Sequence, residues 1–250
     1  MPIPFLAPVL YVAAAATATL VGYVWGRDLW HWITGTPPPK IARNCARVLV
    51  VGPTGVGKTT LIRQIVGAEL GTVGEGTPKT PGIEWLGSDD FPVWFADSKG
   101  LEVVTGSRQV AGIGGKVRGW REQDRPHLAW LCIQEGSARV MDAAADAEAR
   151  RVTGTEGELG RLLHEIGIPC LVVLTQADVA GPDLAAMRRR AHEVFLFAAG
   201  VIAVCAEPRT HAGRVLIPRH GLSALRSMTL ALLPDALRRA TERAWDDPGS

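Results

Sequence analysis

The sequence predicts an α/β fold with a doubly wound, mostly parallel sheet. Short apolar runs rich in β-branched residues alternate with stretches of helical periodicity, as expected of consecutive strand–helix units. One run, residues 46–51, leads through a glycine-rich turn into a helical stretch. The chain of 250 residues, 47% of them apolar, is long enough to bury a substantial core without disulfides or a structural metal.

The first predicted elements lie near the N-terminus. Residues 3–25 contain no charged side chain, and about 20 apolar residues span a membrane as a helix. Tyr23 and Trp25 suit the headgroup region. A signal peptide is disfavoured because no Lys or Arg precedes the apolar run, and a buried core helix would not need so long an uncharged run. We therefore expect a retained transmembrane anchor over residues 1–26.

The charges that follow this run predict its orientation. Asp28 is outnumbered by basic residues in this region. These are Arg27, Lys40, Arg43 and Arg47. The positive-inside rule then places the rest of the chain in the cytoplasm, on the inner face of the cell membrane. Residues 27–45, with three consecutive prolines that favour an extended conformation, are predicted to be a linker, and residues 46–250 the working domain.

A predicted phosphate-binding loop follows the strand at residues 46–51. The sequence GPTGVGKT matches the pattern GxxxxGK[ST] between a strand and a helix. Gly55 and Gly57 let backbone N–H groups surround a phosphate, and the helix N-terminus favours negative charge. Lys58 can reach the β- and γ-phosphates, and the Thr59 hydroxyl can ligate Mg²⁺. The predicted contacts of this loop are Gly52, Pro53, Thr54, Gly55, Val56, Gly57, Lys58, Thr59 and Thr60.

Further motifs come after this loop in the order found in one family of proteins. The segment FPVWFADSKG has the form DxxG at its end, with Asp97 and Gly100. The segment LVVLTQAD, ending at Asp178, looks like the motif [NT]KxD. Residues 204–206 are similar to a weak SAK-like loop. From residue 46 to residue 234 the chain thus resembles P-loop GTPases of the translation-factor-related class, most closely the Era/septin-like bacterial GTPases.

The resemblance implies a role for each matched residue. Asp97 would bind Mg²⁺ through water, and the Gly100 N–H would grip the γ-phosphate. Asp178 would pair with the guanine N1–H and 2-amino groups, which adenine does not offer as donors. Thr175 replaces the usual Asn, and Gln176 replaces a Lys whose stem normally lies over the base. The backbone at Cys205 and Ala206 would approach guanine O6.

The resemblance also implies two switch segments. The first, GEGTPKTPG, has Thr80 as the best candidate to close on Mg²⁺ and the γ-phosphate and to act in catalysis with Lys58; Thr77 or an ordinary polar loop is the alternative. The second, glycine-rich and basic, spans residues 105–125, and a solvated mobile loop is the alternative interpretation of its charges. Leu101 stands where many GTPases have a Gln that orients water. That role then falls to a backbone carbonyl, a K⁺ ion or a partner, and hydrolysis is expected to be slow.

The rest of the chain predicts one more strand and several helices. The strand covers residues 127–134. The helices are predicted from Thr155 past Ile166, over residues 182–200, over residues 221–233 and, with amphipathic periodicity, over residues 235–245. Arginines of the last helix suit either anionic headgroups or packing on the domain, and packing is favoured.

The net charge and the spacing of the cysteines disfavour several kinds of partner and site. The formal net charge is only +2 and no long basic tract occurs, so no nucleic-acid partner is expected. The four cysteines lack CxxC spacing and nearby histidines, which disfavours a zinc site or disulfide framework and suits a reducing compartment. They are Cys45, Cys132, Cys170 and Cys205.

Taken together, these features predict a membrane-anchored switch that binds and hydrolyses GTP. The alternative is a GTP-dependent dimerising scaffold, or a module for a protein effector, with negligible hydrolysis. A dynamin-type mechanoenzyme is disfavoured because too few residues follow Pro234 for a stalk. A ribosome-assembly GTPase is disfavoured because no RNA-binding domain is recognisable. An ATPase would require the TQAD segment to be a coincidental loop.

Overall fold

The computed structural model describes residues 44–66, 83–87, 92–98, 115, 117–134, 155–177, 184–212 and 214–246. The predicted anchor at residues 3–25 and nearly all of the linker lie outside this part of the chain. Within the described ranges, no helix is both long enough and apolar enough to cross a membrane.

Strands and helices alternate along most of the described chain. The strands are β1 Ala46–Val51, β2 Ile83–Leu86, β3 Val93–Ser98, β4 Leu128–Gln134, β5 Cys170–Thr175, β6 Gly200–Val204, β7 Arg209–His211 and β8 Arg214–Ile217. The helices are α1 Lys58–Val66, α2 Thr155–Glu165, α3 Leu184–Val194, α4 Leu222–Leu232 and α5 Asp235–Asp246, with a 3₁₀ turn at Glu122–Asp124.

The main sheet has the strand order β2-β3-β1-β4-β5-β6. Strand β1 pairs in parallel with β3 and β4, and β5 continues the parallel pairing to β4 and β6. Strand β2 pairs antiparallel with β3 at one edge. The prediction of a mostly parallel α/β sheet is confirmed, and the short edge strand β2 is an element that the sequence pattern did not reveal.

Both faces of this sheet are covered, which explains the continuous apolar runs of its strands. All six residues of β1 are buried. Val48 and Val50 point to a core that includes residues of α1, α4 and α5. Leu49 and Val51 point to the opposite core, which includes residues of α2 and α3. Helices on both faces of a parallel sheet are the doubly wound arrangement.

The predicted helix at residues 182–200 is too long at its C-terminal end. Helix α3 ends at Val194, and Gly200 already belongs to β6. Between them the Ala198 N–H donates to the Phe195 carbonyl at 2.9 Å, closing a turn. Phe195 is 3% exposed and meets Phe197 edge-on. Burying these rings against the core ends the helix before the strand begins.

The last predicted helix packs on the domain, as favoured from its sequence. Trp245 of α5 is 6% exposed and belongs to the same core as β1. The Arg226 guanidinium of α4 lies 5.8 Å from the centre of the Trp245 ring. Arg238 donates to the Leu233 carbonyl at 3.2 Å and to Asp235 at 2.7 Å. The helix is therefore packed on the sheet through its apolar face, and its first turn is hydrogen-bonded to the end of α4.

Candidate functional site

The functional side chains predicted from the sequence gather at the carboxyl edge of the sheet. β1 and β3 are neighbours in register, with Val50 opposite Asp97. The loop at residues 52–57 leaves β1 at this edge and leads directly into α1 at Lys58. Gly55 has φ 83° and Gly57 has φ 87°, a left-handed conformation that favours glycine. Two glycines of the motif therefore shape the turn that carries Lys58 back toward the loop.

Lys58 is held inside the curve of its own loop. Its Nζ atom donates to the Gly52 carbonyl at 3.2 Å and to the Pro53 carbonyl at 2.9 Å. Burial lowers the pKa of Lys58 from its ordinary value, and the negative charge of Asp97 acts in the opposite direction. An ammonium carries three N–H donors, so Lys58 can keep both carbonyls and still donate to a phosphate oxygen.

Thr59 in the first turn of α1 contacts Asp97 near the end of β3. The Thr59 hydroxyl donates to Asp97 Oδ2 at 2.8 Å. A hydroxyl and a carboxylate are the hard oxygen ligands that Mg²⁺ prefers, directly or through water. These two residues therefore fit the metal that the loop motif implies, and they lie beside the ammonium of Lys58.

Gln176 connects the loop after β5 to the phosphate-binding loop. It follows β5 directly in a left-handed conformation, with φ 54°. Its side-chain Nε2 donates to the Gly55 carbonyl at 3.0 Å. The hydroxyl of the preceding Thr175 is buried and donates to the Ile133 carbonyl of β4 at 3.3 Å. Thr175 thus ties its strand to β4, whereas Gln176 joins two loops of the candidate site.

An open cleft of about 290 Å³ lies between α1 and the loops that follow β5 and β6. The lining residues come from three segments of the chain. They are Val56, Gly57, Thr60, Leu61, Thr175, Gln176, Val204, Cys205, Ala206, Glu207, Pro208 and Arg209. The cleft therefore brings part of the phosphate loop together with the matched positions after β5 and β6, whereas Lys58, Thr59 and Asp97 lie outside its lining.

Several predicted residues fall outside the described part of the chain. They are Thr80 and its alternative Thr77, Gly100, Leu101 and Asp178. The strand-end positions beside two of them are described: β3 ends at Ser98, and Ala177 lies just after β5.

The sequence analysis missed the side of the cleft formed by residues 207–209. Strands β7 and β8 pair antiparallel just beyond β6, and Arg209 begins β7. The segment RTHAGRVLI carries only part of the usual hairpin signal, since Gly213 stands at the second turn position but Ala212 stands where Asn, Asp or Gly is usual. Ala212 in this turn has φ 48°, as a tight hairpin of this kind requires. The signal was weak because every described residue of β7 and most of β8 are exposed, so no apolar alternation marks them.

Residues 47–176 match the family model described as "50S ribosome-binding GTPase". This match covers more than half of the chain and spans β1 to Gln176. The chain belongs to this GTPase family. The predicted P-loop GTPase similar to Era is thereby confirmed, and this family generally uses Mg²⁺.

Two curated proteins are similar to this GTPase over part of their length. The tRNA modification GTPase MnmE of Paracoccus denitrificans is 27% identical over 141 residues, which cover 55% of this chain and 34% of that protein. The probable GTP-binding protein EngB of Halorubrum lacusprofundi is 28% identical over 138 residues, covering 53% of this chain and 65% of that protein. The chain therefore spans less than two thirds of either relative.

Two solved structures share the fold. A crystal structure of a probable GTP-binding protein EngB is matched with a TM-score of 0.51 at 16% identity, over 78% of this chain and 99% of that one. A crystal structure of Era in complex with MgGDPNP and a segment of 16S ribosomal RNA is matched with a TM-score of 0.50 at 17% identity. That match covers 77% of this chain and 58% of Era.

Proposed function

We propose that this chain binds GTP with Mg²⁺ at the carboxyl edge of its sheet, hydrolyses it to GDP and phosphate, and acts as a nucleotide-dependent switch. We further propose that residues 3–25 hold it in the cell membrane with the GTPase domain on the cytoplasmic side. The observation that carries the first proposal is the cluster of Lys58, Thr59 and Asp97, in which a buried ammonium at the end of the phosphate loop lies beside two oxygen ligands from α1 and β3.

Most of the described site residues act on the charge of the phosphates, and Gln176 positions a loop. Lys58 donates to phosphate oxygens and stabilises the negative charge that spreads over them during transfer. The N–H groups at the start of α1 act on the same oxygens. Thr59 and Asp97 hold Mg²⁺, which when bound neutralises part of the charge on the β- and γ-phosphates. Gln176 keeps the loop after β5 attached to the phosphate loop at Gly55.

Three further roles rest on the family motifs. Asp178 pairs with the guanine base, Gly100 donates its N–H to the γ-phosphate, and Thr80 closes on the metal in the GTP state. Asp178 follows Ala177, whose N–H donates to the Val204 carbonyl of β6 at 3.3 Å. This bond supports the proposal because it brings the loop of Asp178 next to the cleft residues after β6.

Slow hydrolysis that a partner accelerates is part of the proposal. Leu101 follows Gly100 and has no hydrogen-bonding group in its side chain. The attacking water must then be oriented by a backbone carbonyl, by K⁺ or by a residue of a second chain. Help supplied in trans raises the rate of such reactions on the order of 10³–10⁵-fold. Single-turnover hydrolysis over a dilution series tests this: a rate that increases with concentration indicates help from a second copy.

The proposed anchor rests on sequence and charge. Residues 3–25 lack charged side chains, and the basic residues cluster after them. Extraction of membranes with alkaline carbonate tests the anchor, because an integral protein stays in the pellet and a peripheral protein is released. The small net charge supports a partner other than nucleic acid.

Nucleotide binding by the full-length protein tests the central proposal. We expect Mg²⁺-dependent binding of GTP and GDP, little binding of ATP, and release of phosphate from GTP. Equal affinity for ATP would overturn the guanine assignment. Retention of intact GTP without turnover would favour the alternative function of a GTP-dependent dimerising scaffold.

A further inference from the structure

One side of the nucleotide cleft is formed by the β7–β8 hairpin. The cleft residues contributed by this part of the chain are Glu207, Pro208 and Arg209. Among the described residues that line the cleft, Arg209 carries the only positive charge, since Lys58 lies within the phosphate loop and outside the lining. Arg209 is exposed and is the first residue of β7.

The base of this hairpin is fixed to the domain at two points. Cys205 and His220 form a pair of backbone hydrogen bonds, 3.1 Å in each direction, where the chain leaves and re-enters the sheet. Next to this pair, Arg219 Nη1 donates to Gln64 Oε1 of α1 at 2.9 Å. Arg209 thus lies on a hairpin whose base is hydrogen-bonded to the end of β6 and to α1, the helix that borders the cleft.

The loop after β5 lacks the cation that the family motif places there. Gln176 is neutral, and its amide is used to bind the Gly55 carbonyl. The lysine that usually occupies this position covers one face of the base with its stem. This chain therefore has a neutral side chain at that position and an arginine on another loop of the same cleft.

Distance favours the base over the phosphates as the contact of Arg209. The phosphate loop leaves β1, whereas the hairpin follows β6, three strands away in the sheet. Neighbouring strands lie about 4.8 Å apart, so the two strand ends are separated by roughly 14 Å. The lining of the cleft includes Val56 and Gly57 of the phosphate loop, but Ala206, which with Gln176 matches the base-recognition motifs, precedes Arg209 by only three positions on the same segment.

We infer that Arg209 stacks its guanidinium plane on the guanine base and so replaces the lysine missing at position 176. This inference rests on the proposed function, because it assigns one contact within the same nucleotide site. A guanidinium is planar and weakly hydrated, and it stacks on aromatic faces more readily than an ammonium does. Loss of such a stacking contact weakens binding on the order of tenfold.

The test measures equilibrium affinities of the full-length protein for GDP and for inorganic pyrophosphate, both with Mg²⁺. The variants are Arg209→Ala, Arg209→Lys and the control Arg214→Ala, an exposed arginine on the other strand of the same hairpin. We expect Arg209→Ala to weaken GDP about tenfold and to leave pyrophosphate unchanged. Arg209→Lys should recover little of the loss, and Arg214→Ala should match the wild type.

Each contrary result overturns a different statement. If Arg209→Ala binds GDP like Arg214→Ala, Arg209 does not contact the base. If pyrophosphate weakens in parallel with GDP, or if Arg209→Lys restores full affinity, the arginine acts through its charge on phosphate and the stacking assignment is wrong. If the wild type binds pyrophosphate but no guanine nucleotide, the proposed function itself fails. Matching thermal melts of all variants establish that the hairpin substitutions leave the fold intact.

Discussion

Polar side chains lie at both edges of the sheet, but those at the carboxyl edge border an open cleft, whereas those at the amino edge bind other parts of the chain. At the carboxyl edge, Lys58 lies at the end of the phosphate loop. Gln176 lines the open cleft, and its side chain joins the loop after β5 to the phosphate loop. At the amino edge, Arg47 of β1 is 3% exposed. Its guanidinium donates to the carbonyls of Arg125 at 3.0 Å and Cys45 at 3.3 Å. Its backbone N–H donates to Nδ1 of His127 at 3.0 Å.

This difference separates groups that bind ligand from groups that hold the fold. Polar atoms beside an open cleft can exchange their loop partners for a ligand, whereas the buried amino-edge cluster gains its partners only by folding. Substitutions at the carboxyl edge should therefore change nucleotide binding with little effect on stability. Substitutions at the amino edge should lower stability with little effect on nucleotide binding.

The largest effect should come from Lys58→Ala at the carboxyl edge. In the proposed function this ammonium contacts the β- and γ-phosphates, so its removal should weaken GTP binding about 10²–10³-fold through the loss of charge-assisted hydrogen bonds. Calorimetric titration of GTP measures this. The control is Arg63→Ala, an exposed cation on the same helix, which should bind as the wild type does. An unchanged affinity in Lys58→Ala would mean that the loop does not bind phosphate.

At the amino edge, Arg47→Met should be the most destabilising of the substitutions considered. Methionine keeps much of the apolar packing but leaves the Arg125 and Cys45 carbonyls without the guanidinium donor. We expect a loss of about 2–3 kcal/mol in the free energy of unfolding, measured by urea denaturation, with unchanged affinity for GTP. A weakened affinity in folded Arg47→Met would contradict the separation between the two edges.

The carboxyl edge was far easier to predict than the amino edge. The phosphate loop has a local signature, because a strand, fixed glycines, Lys58 and Thr59 follow one another within a few residues. The meeting of Thr59 with Asp97 was predictable only through the family resemblance, since the two residues are 38 positions apart. The pair of Arg47 and His127 spans 80 positions and follows no motif. Arg47 was accordingly counted among the basic residues flanking the membrane segment.

Two elements could not be predicted from the local sequence pattern, for two different physical reasons. Helix α3 ends early because Phe195 and Phe197 turn into the core, and residue spacing alone does not show where a buried ring will find its pocket. The β7–β8 hairpin was missed because strands exposed on both faces carry no apolar alternation. In both places tertiary contacts or solvent exposure override the local pattern.

A smaller effect at the carboxyl edge should follow from Gln176→Ala. Loss of the hydrogen bond to the Gly55 carbonyl loosens the connection between the two loops, and we expect affinity for GDP to fall about fivefold. Gln176→Lys restores the residue type usual in the motif and should bind at least as tightly as the wild type. Both variants should unfold at the wild-type urea concentration. A large loss of stability in Gln176→Ala would mean that this contact holds the fold.

An effect of similar size is a pH dependence of stability at the amino edge. Burial, followed by the positive charge of Arg47, lowers the pKa of His127 to about 4. Between about pH 6.5 and pH 4 the unfolded chain therefore binds a proton that the folded chain does not, so stability falls as the pH decreases through this window. Because the ring is partly exposed, we expect a loss of only about 1–2 kcal/mol.

Substitution of the histidine isolates its contribution. In His127→Gln, the side-chain carbonyl can accept the Arg47 N–H as Nδ1 does, but it does not titrate. Urea denaturation at about pH 7 and about pH 5 should then show a smaller difference for His127→Gln than for the wild type. The exposed His164→Gln should keep the full wild-type difference. If His127→Gln loses as much stability on acidification as the wild type, the amino-edge histidine is not the group that causes the pH dependence.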